Sequence, residues 1–203
     1  GHYSAAGLEV YRRKYKIKRA GVLAVQRLVN DLEINCDFES NGKIHCTAVK
    51  SHEKKIINFS KLLTEMELRH KILEGEELRE RLGSSYYRMG LWTAGGAMLQ
   101  PAKLARGMVD NLPEQVELFE NSPVVNWHKL SNSEGYQLST LEGQVSCQKL
   151  IVAVNGFMTN CGVKPNRSFS LTLTASMTRP LTVEEDEIIG CPDSWGVLSA
   201  QSM

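Results

Sequence analysis

Side chains spaced for chemistry of their own are scarce in this 203-residue chain. The histidines, His2, His45, His52, His70 and His128, show no H-E-x-x-H or similar ligand spacing, so no metal site is expected. Serines occur, but no G-x-S-x-G turn presents one as a nucleophile. The acidic run Glu184-Glu185-Asp186-Glu187 lacks the spaced oxygens and turn glycine of a calcium or magnesium loop and reads as a solvated face. Six of the eight residues from Arg12 to Arg19 are cationic, a pattern that can hold a polyanion. In a chain of net charge +1 it reads first as a solvated helix face, and no nucleic-acid partner is expected. The glycine-rich dinucleotide turn G-x-G-x-x-G is not in these residues. What remains is backbone chemistry. An apolar run, Leu150-Ile151-Val152-Ala153-Val154, ends in Asn155-Gly156, and a Gly95-Gly96 pair precedes Gln100-Pro101. On their own, Val152 and Val154 read as core and Asn155-Gly156 as a turn.

The elements that must position these residues follow from periodicity. Val22, Val25, Val29 and Leu32 recur at helical spacing and predict a helix over Leu8 to Leu32. Ile34–Phe38 and Lys43–Ala48 read as short strands about an Asn41-Gly42 turn. Ser51 is placed to cap a second helix, with Ile56, Phe59, Leu63 and Met66 on its apolar face. A strand near Lys71–Leu73, a helix over Gly75–Leu82, and strands around Tyr86–Met89 and Gly90–Thr93 follow. Pro101 suits the first turn of a helix that runs to Pro113. Val116–Phe119, Val124–Trp127, Tyr136–Thr140 and Val145–Val154 read as strands, the last with the character of one covered on both faces. After a loop through Pro165, Phe169–Thr178 alternates as a strand, and the end of the chain reads as loop. Alternating and continuously apolar strands together predict two interleaved subdomains rather than one uniform sheet.

Composition bounds the rest. The chain is 42% hydrophobic and 23% charged, ordinary for a globular protein of one large or two small domains. No apolar run reaches membrane-spanning length. Five cysteines, an odd number with no C-x-x-C pair, argue against a disulfide framework and lead us to expect a cytoplasmic protein.

The order of these pieces resembles the D-amino-acid oxidase superfamily of flavoproteins, in particular its glycine, sarcosine and glutamylputrescine oxidase-like branch. Five segments carry the resemblance: Ile34-Asn35-Cys36-Asp37-Phe38, Asn41-Gly42-Lys43-Ile44, Gly95-Gly96 through Gln100-Pro101, Val116 through Val124, and Leu150 through Phe157. The fold it implies is α+β / α/β: a mixed-sheet substrate-binding domain, residues 34–99 and 166–203, interleaved with part of a three-layer FAD-binding domain, residues 1–33 and 100–165. It implies FAD as the cofactor and a small-molecule amine or amino acid as the substrate. Cofactor contacts fall on Val124, Val125, Asn155 and Gly156, because ligands of such sheets bind beyond the carboxyl ends of the strands and a glycine permits close approach. Substrate contacts fall on the substrate-domain strands at Lys43, His45, Arg88, Thr174 and Ser176. No catalytic residue is assigned.

The departures from the family's pattern shape the expectation. With no phosphate-cradling turn and no closing glycine-rich segment in these residues, the chain is expected to be a fragment that binds flavin poorly by itself. Leu150–Val154 would then present an unpaired edge, through which self-association is expected. The rival reading is a non-catalytic binding module of the same fold, or one subunit of a split, heteromeric dehydrogenase.

Overall fold

The computed structural model describes residues 5–131, 134–163, 167, 169, 171–190 and 196–200. They form two compact units: Gly1–Leu112 with Arg179–Met203, and Pro113–Thr178.

The first unit is built on a mixed four-stranded sheet in the order β2-β3-β1-β7. Its strands are β1 (Lys43–Thr47), β2 (His70–Glu74), β3 (Met89–Thr93) and β7 (Val197–Ser199). β1 lies antiparallel to β3 and parallel to β7. Side chains alternate across the sheet, and each face is covered by a helix. On one face, α2 (Glu53–Glu65) sets Ile56 and Leu63 against Met89 and Leu91. On the other, Leu78 and Leu82 of α3 (Gly75–Leu82) meet Ile44, Cys46 and Leu73. Gly90 makes that approach possible, since a β-carbon there would stand 2.8 Å from Leu78 Cδ1. Cys46 is buried in this layer, and burial pushes its thiol up to about 12.

The long helix α1 (Ala5–Asp31) and α4 (Pro101–Asp110) complete the unit. Val29 of α1, Ile34 and Cys36 form a third apolar cluster, on which Leu104 of α4 packs. Pro101 opens α4 as expected, and the Gln100 side chain caps it by accepting from Ala102 N at 2.7 Å. Near the end of the unit, α5 (Val183–Ile189) is closed at its start by a reciprocal capping box between Thr182 and Glu185.

The second unit holds an antiparallel meander of β4 (Asn126–Lys129), β5 (Tyr136–Ser139) and β6 (Gln144–Cys147). Trp127 Nε1 donates to the Cys161 carbonyl at 3.0 Å and ties a following 3₁₀ turn, Asn155–Thr159, to the sheet.

Several expected strands take other forms. Ile34–Phe38 is irregular: Asp37 turns with φ +52°, and extended pairing is limited to a bridge between Glu39 and Met98. The Asn41-Gly42 hairpin does not form, because β1 pairs with β3 and β7 instead. Ser51 sits within a short 3₁₀ turn and caps nothing; the residue preceding α2 is His52. The two strands expected over Tyr86–Thr93 are one, β3, and β4 begins two residues later than read from the sequence. Val116–Phe119 is irregular and exposed. Leu150–Val154 joins no ladder, and Ile151 is 89% exposed. A run apolar on both faces needs a strand on each side, and among the described residues neither side supplies one. Phe169–Thr178 fares likewise: its described residues are unpaired, with Leu173 89% exposed. Pro165, in the loop expected before it, lies outside the described residues. Of the loop read over Gly190–Gly196, residues 191–195 lie outside the described residues, and β7, which no strand was read for, follows it parallel to β1.

Candidate functional site

The substrate-side residues read from the sequence divide among different surroundings. Lys43 and His45 stand two apart on β1, on the face that carries α2. His45 is buried, with its ring edge-on to Phe59 of α2 at 5.8 Å. Burial, and then the nearby charge of Lys43, hold its pKa down at about 4, so the ring is neutral at physiological pH. Its Nδ1 is buried with no hydrogen-bond partner. Lys43 is also held below its usual range, by partial burial and then by Lys18. Arg88 follows the Tyr86-Tyr87 pair just before β3, where its Nε donates to Glu53 Oε1 at 2.9 Å. Thr174 and Ser176 belong to the second unit, on exposed chain without a ladder. The first unit thus brings Lys43 and His45 together, while Arg88 is committed to an ion pair.

Lys43 opens onto a cavity of about 340 Å³ between α1, α2 and the turn that follows β3. Tyr11, Lys14, Tyr15, Lys18 and Arg19 of α1 enter its wall. Sequence reasoning took Arg12 to Arg19 for a solvated face and did not single out Tyr11. The signal was present in the fourfold spacing of Tyr11, Tyr15 and Arg19, which puts two aromatic rings and a guanidinium on one stripe of the helix.

The cofactor-side residues gather in the second unit. Val124, Val125, Trp127, Leu138 and the run Leu150–Val154 line a cavity of about 680 Å³. Asn155 and Gly156 follow that run directly and begin the 3₁₀ turn, Asn155 with φ +49°. Asparagine is one of the few side chains that tolerates this conformation. The cavity wall mixes apolar side chains with Asn126 and Asn160, carries no Lys or Arg, and leaves the Leu150–Val154 backbone outside any ladder. With apolar side chains, two amides and free main-chain groups, it offers contact and hydrogen bonds to a flat, uncharged ring. It does not suit a pyrophosphate, which needs a ring of amides or cations.

A mixed sheet covered by helices in one unit and an antiparallel meander in the other define a two-unit protein of mixed α and β structure. The sequence matches the FAD dependent oxidoreductase family over residues 2–194, and the chain belongs to that family. Among solved structures it is similar to glycine oxidase from Bacillus cereus ATCC 14579, with a TM-score of 0.57 at 16% identity over 79% of this chain and 44% of that one. Glycine oxidase from Geobacillus kaustophilus gives 0.56 at 18% identity, over 71% of this chain and 40% of that one. L-proline dehydrogenase from P. horikoshii gives 0.54 at 14% identity, over 71% and 39%. The chain therefore spans less than half the length of each of these proteins. Among the described residues no helix is long and apolar enough to cross a membrane, and no group of three or more His, Cys, Asp or Glu is placed to hold a metal ion.

Proposed function

We propose that this chain forms part of an FAD-dependent oxidoreductase acting on the C–N bond of a small amine or amino acid. The observation that carries the reading is the family match over residues 2–194, joined to a cavity that Val124 and Val125 line together with Leu150–Val154. In this reading residues 1–33 and 100–165 belong to the flavin-binding half and residues 34–99 and 166–203 to the substrate-binding half.

Bound FAD supplies the hydride acceptor that turns an amine into an imine, which water then hydrolyses. Val124 and Val125 would hold the adenine through their main chain, and Asn155-Gly156 would allow its close approach. On the substrate side, Lys43 offers a cation to a carboxylate. His45 offers a neutral ring, which adds no positive charge beside an amine that must be unprotonated to react. Arg88 reaches a substrate only by leaving Glu53. Thr174 and Ser176, in the second unit, are the hydroxyl side chains that the reading adds to the substrate contacts.

The test is anaerobic reduction of the protein expressed from its natural reading frame and loaded with FAD. Primary and secondary amines, amino acids and, as controls, hydroxy acids are offered in turn. Bleaching of the oxidised flavin band by amines or amino acids is the expected result. Bleaching by hydroxy acids alone overturns the substrate class. Failure of that protein to retain FAD overturns the reading and leaves the binding-module or split-enzyme alternative in its place.

A further inference from the structure

Lys43 apart, the cavity beneath α1 has a composition that the proposed oxidation does not use. Five cationic side chains, Lys14, Lys18, Arg19, Lys43 and Arg69, enter its wall, and no Asp or Glu does. In a chain with 24 basic and 23 acidic residues, five cations around about 340 Å³ without an acid among them are not an average sample of the surface. None of the five has an ion-pair partner among the described residues, although acids pair with Lys71, Arg79, Arg88, Lys103 and Arg179 elsewhere.

Arg19 is the sharpest element. Its Nη1 is buried and has no hydrogen-bond partner. A guanidinium nitrogen withdrawn from water with nothing to bond carries a desolvation penalty that an anion would remove. The backbone is shaped around it: Gly95 turns with φ +83°, and the position its β-carbon would take is 3.5 Å from both Arg19 Nη1 and Tyr15 Oη. A guanidinium and a phenol thus converge on the glycine turn, two donors suited to the oxygens of one oxyanion. Lys43, in the same wall, is kept below its usual range by burial and by Lys18, a repulsion that a bound negative charge relieves.

We propose that this cavity, between α1, the Gly95-Gly96 turn and the start of β1, is a binding site for a small, multiply charged oxyanion. The ligand carries phosphate or paired carboxylate oxygens, met by Arg19 and Tyr15 at the Gly95 turn and by Lys43 in the same wall. The site lies wholly within the first unit and stands whether or not the flavin reading does.

The test is calorimetric titration of this chain at constant ionic strength, with inorganic phosphate, succinate and chloride as separate probes. Saturable binding of phosphate, succinate or both, with none of chloride, is the expected result. Phosphate alone assigns a phosphorylated ligand, and succinate alone a dicarboxylate. Arg19→Gln and Lys43→Gln should each weaken binding about tenfold or more, the scale of a lost charge-assisted hydrogen bond. The exposed pair Lys54→Gln and Lys55→Gln on α2 should leave it unchanged. Binding that chloride reproduces overturns the proposal, as does binding that survives Lys43→Gln should the Arg19 variant fail to fold. So does salt-dependent oligonucleotide binding indifferent to both cavity substitutions, which assigns the cations to a nucleic-acid surface.

Discussion

Acid should destabilise this protein through a single ring. His45 is buried on the central part of the sheet, its Nδ1 without a partner, and its pKa is held at about 4 by burial and then by Lys43. In an unfolded chain an imidazole takes up its proton near pH 6.5. The folded value lies below the unfolded one, so this contribution is complete above about pH 6.5 and is lost as pH falls toward 4. Linkage with those two values gives a loss of about 2 kcal/mol between about pH 8 and pH 5, rising toward about 3 kcal/mol in more acid solution. Urea unfolding of the wild-type chain and of His45→Gln, repeated across that range, isolates the ring from the carboxylates that titrate in both. The wild type should lose about 2 kcal/mol more than the variant by about pH 5. A difference that stays flat refutes the reasoning. So does a folded-state imidazole resonance of His45 that titrates near its ordinary value, because the neutral, enclosed ring is the whole premise.

Other perturbations have equally defined outcomes. Gly90→Ala places a β-carbon 2.8 Å from Leu78 Cδ1, 3.2 Å from Ile44 Cγ2 and 3.3 Å from Cys46 Sγ, and should cost about 1–3 kcal/mol by urea unfolding as α3 is pushed off the sheet. Thr182→Ala removes one arm of the capping box on α5 and should lower the local opening free energy by about 1 kcal/mol, read as faster amide exchange at Glu185 with the β1 amides unchanged. Ile151, Phe157, Leu171 and Leu173 are each at least 70% exposed, so the chain alone should show concentration-dependent association by light scattering, and a monodisperse monomer would count against that expectation.

The first unit was largely legible in the sequence, because its elements are decided by near neighbours. Helices α1, α3 and α4 carry complete apolar stripes, and α4 adds a proline at its first turn. The face of α2 was read from Ile56, Phe59 and Leu63 without knowledge of the sheet beneath it. What failed to read correctly depends on distant partners. β7 is three residues long and owes its existence to β1, more than 150 positions earlier, so no local period announces it. Leu150–Val154 and Phe169–Thr178 have strand composition, yet composition makes a strand only where another backbone offers its amides and carbonyls. The cavity beneath α1 was missed for a different reason. A charged helix read by composition looks uniformly solvated, whereas the side chains at 11, 15 and 19 share one stripe and the sheet turns them inward.

The buried thiol of Cys46 makes the molecule its own reporter of breathing. Alkylating reagents attack only thiolate, and a sulfur enclosed between β1 and α3, with its proton held to about 12, offers almost none while the sheet is shut. Cys147 and Cys161, both only half-enclosed, lie in the other unit. Mass spectra of a timed labelling reaction therefore separate two clocks in one sample. The early peptides record ordinary access in the second unit, and the peptide of Cys46, apart from that of the equally buried Cys36, records how often the four-stranded sheet comes apart.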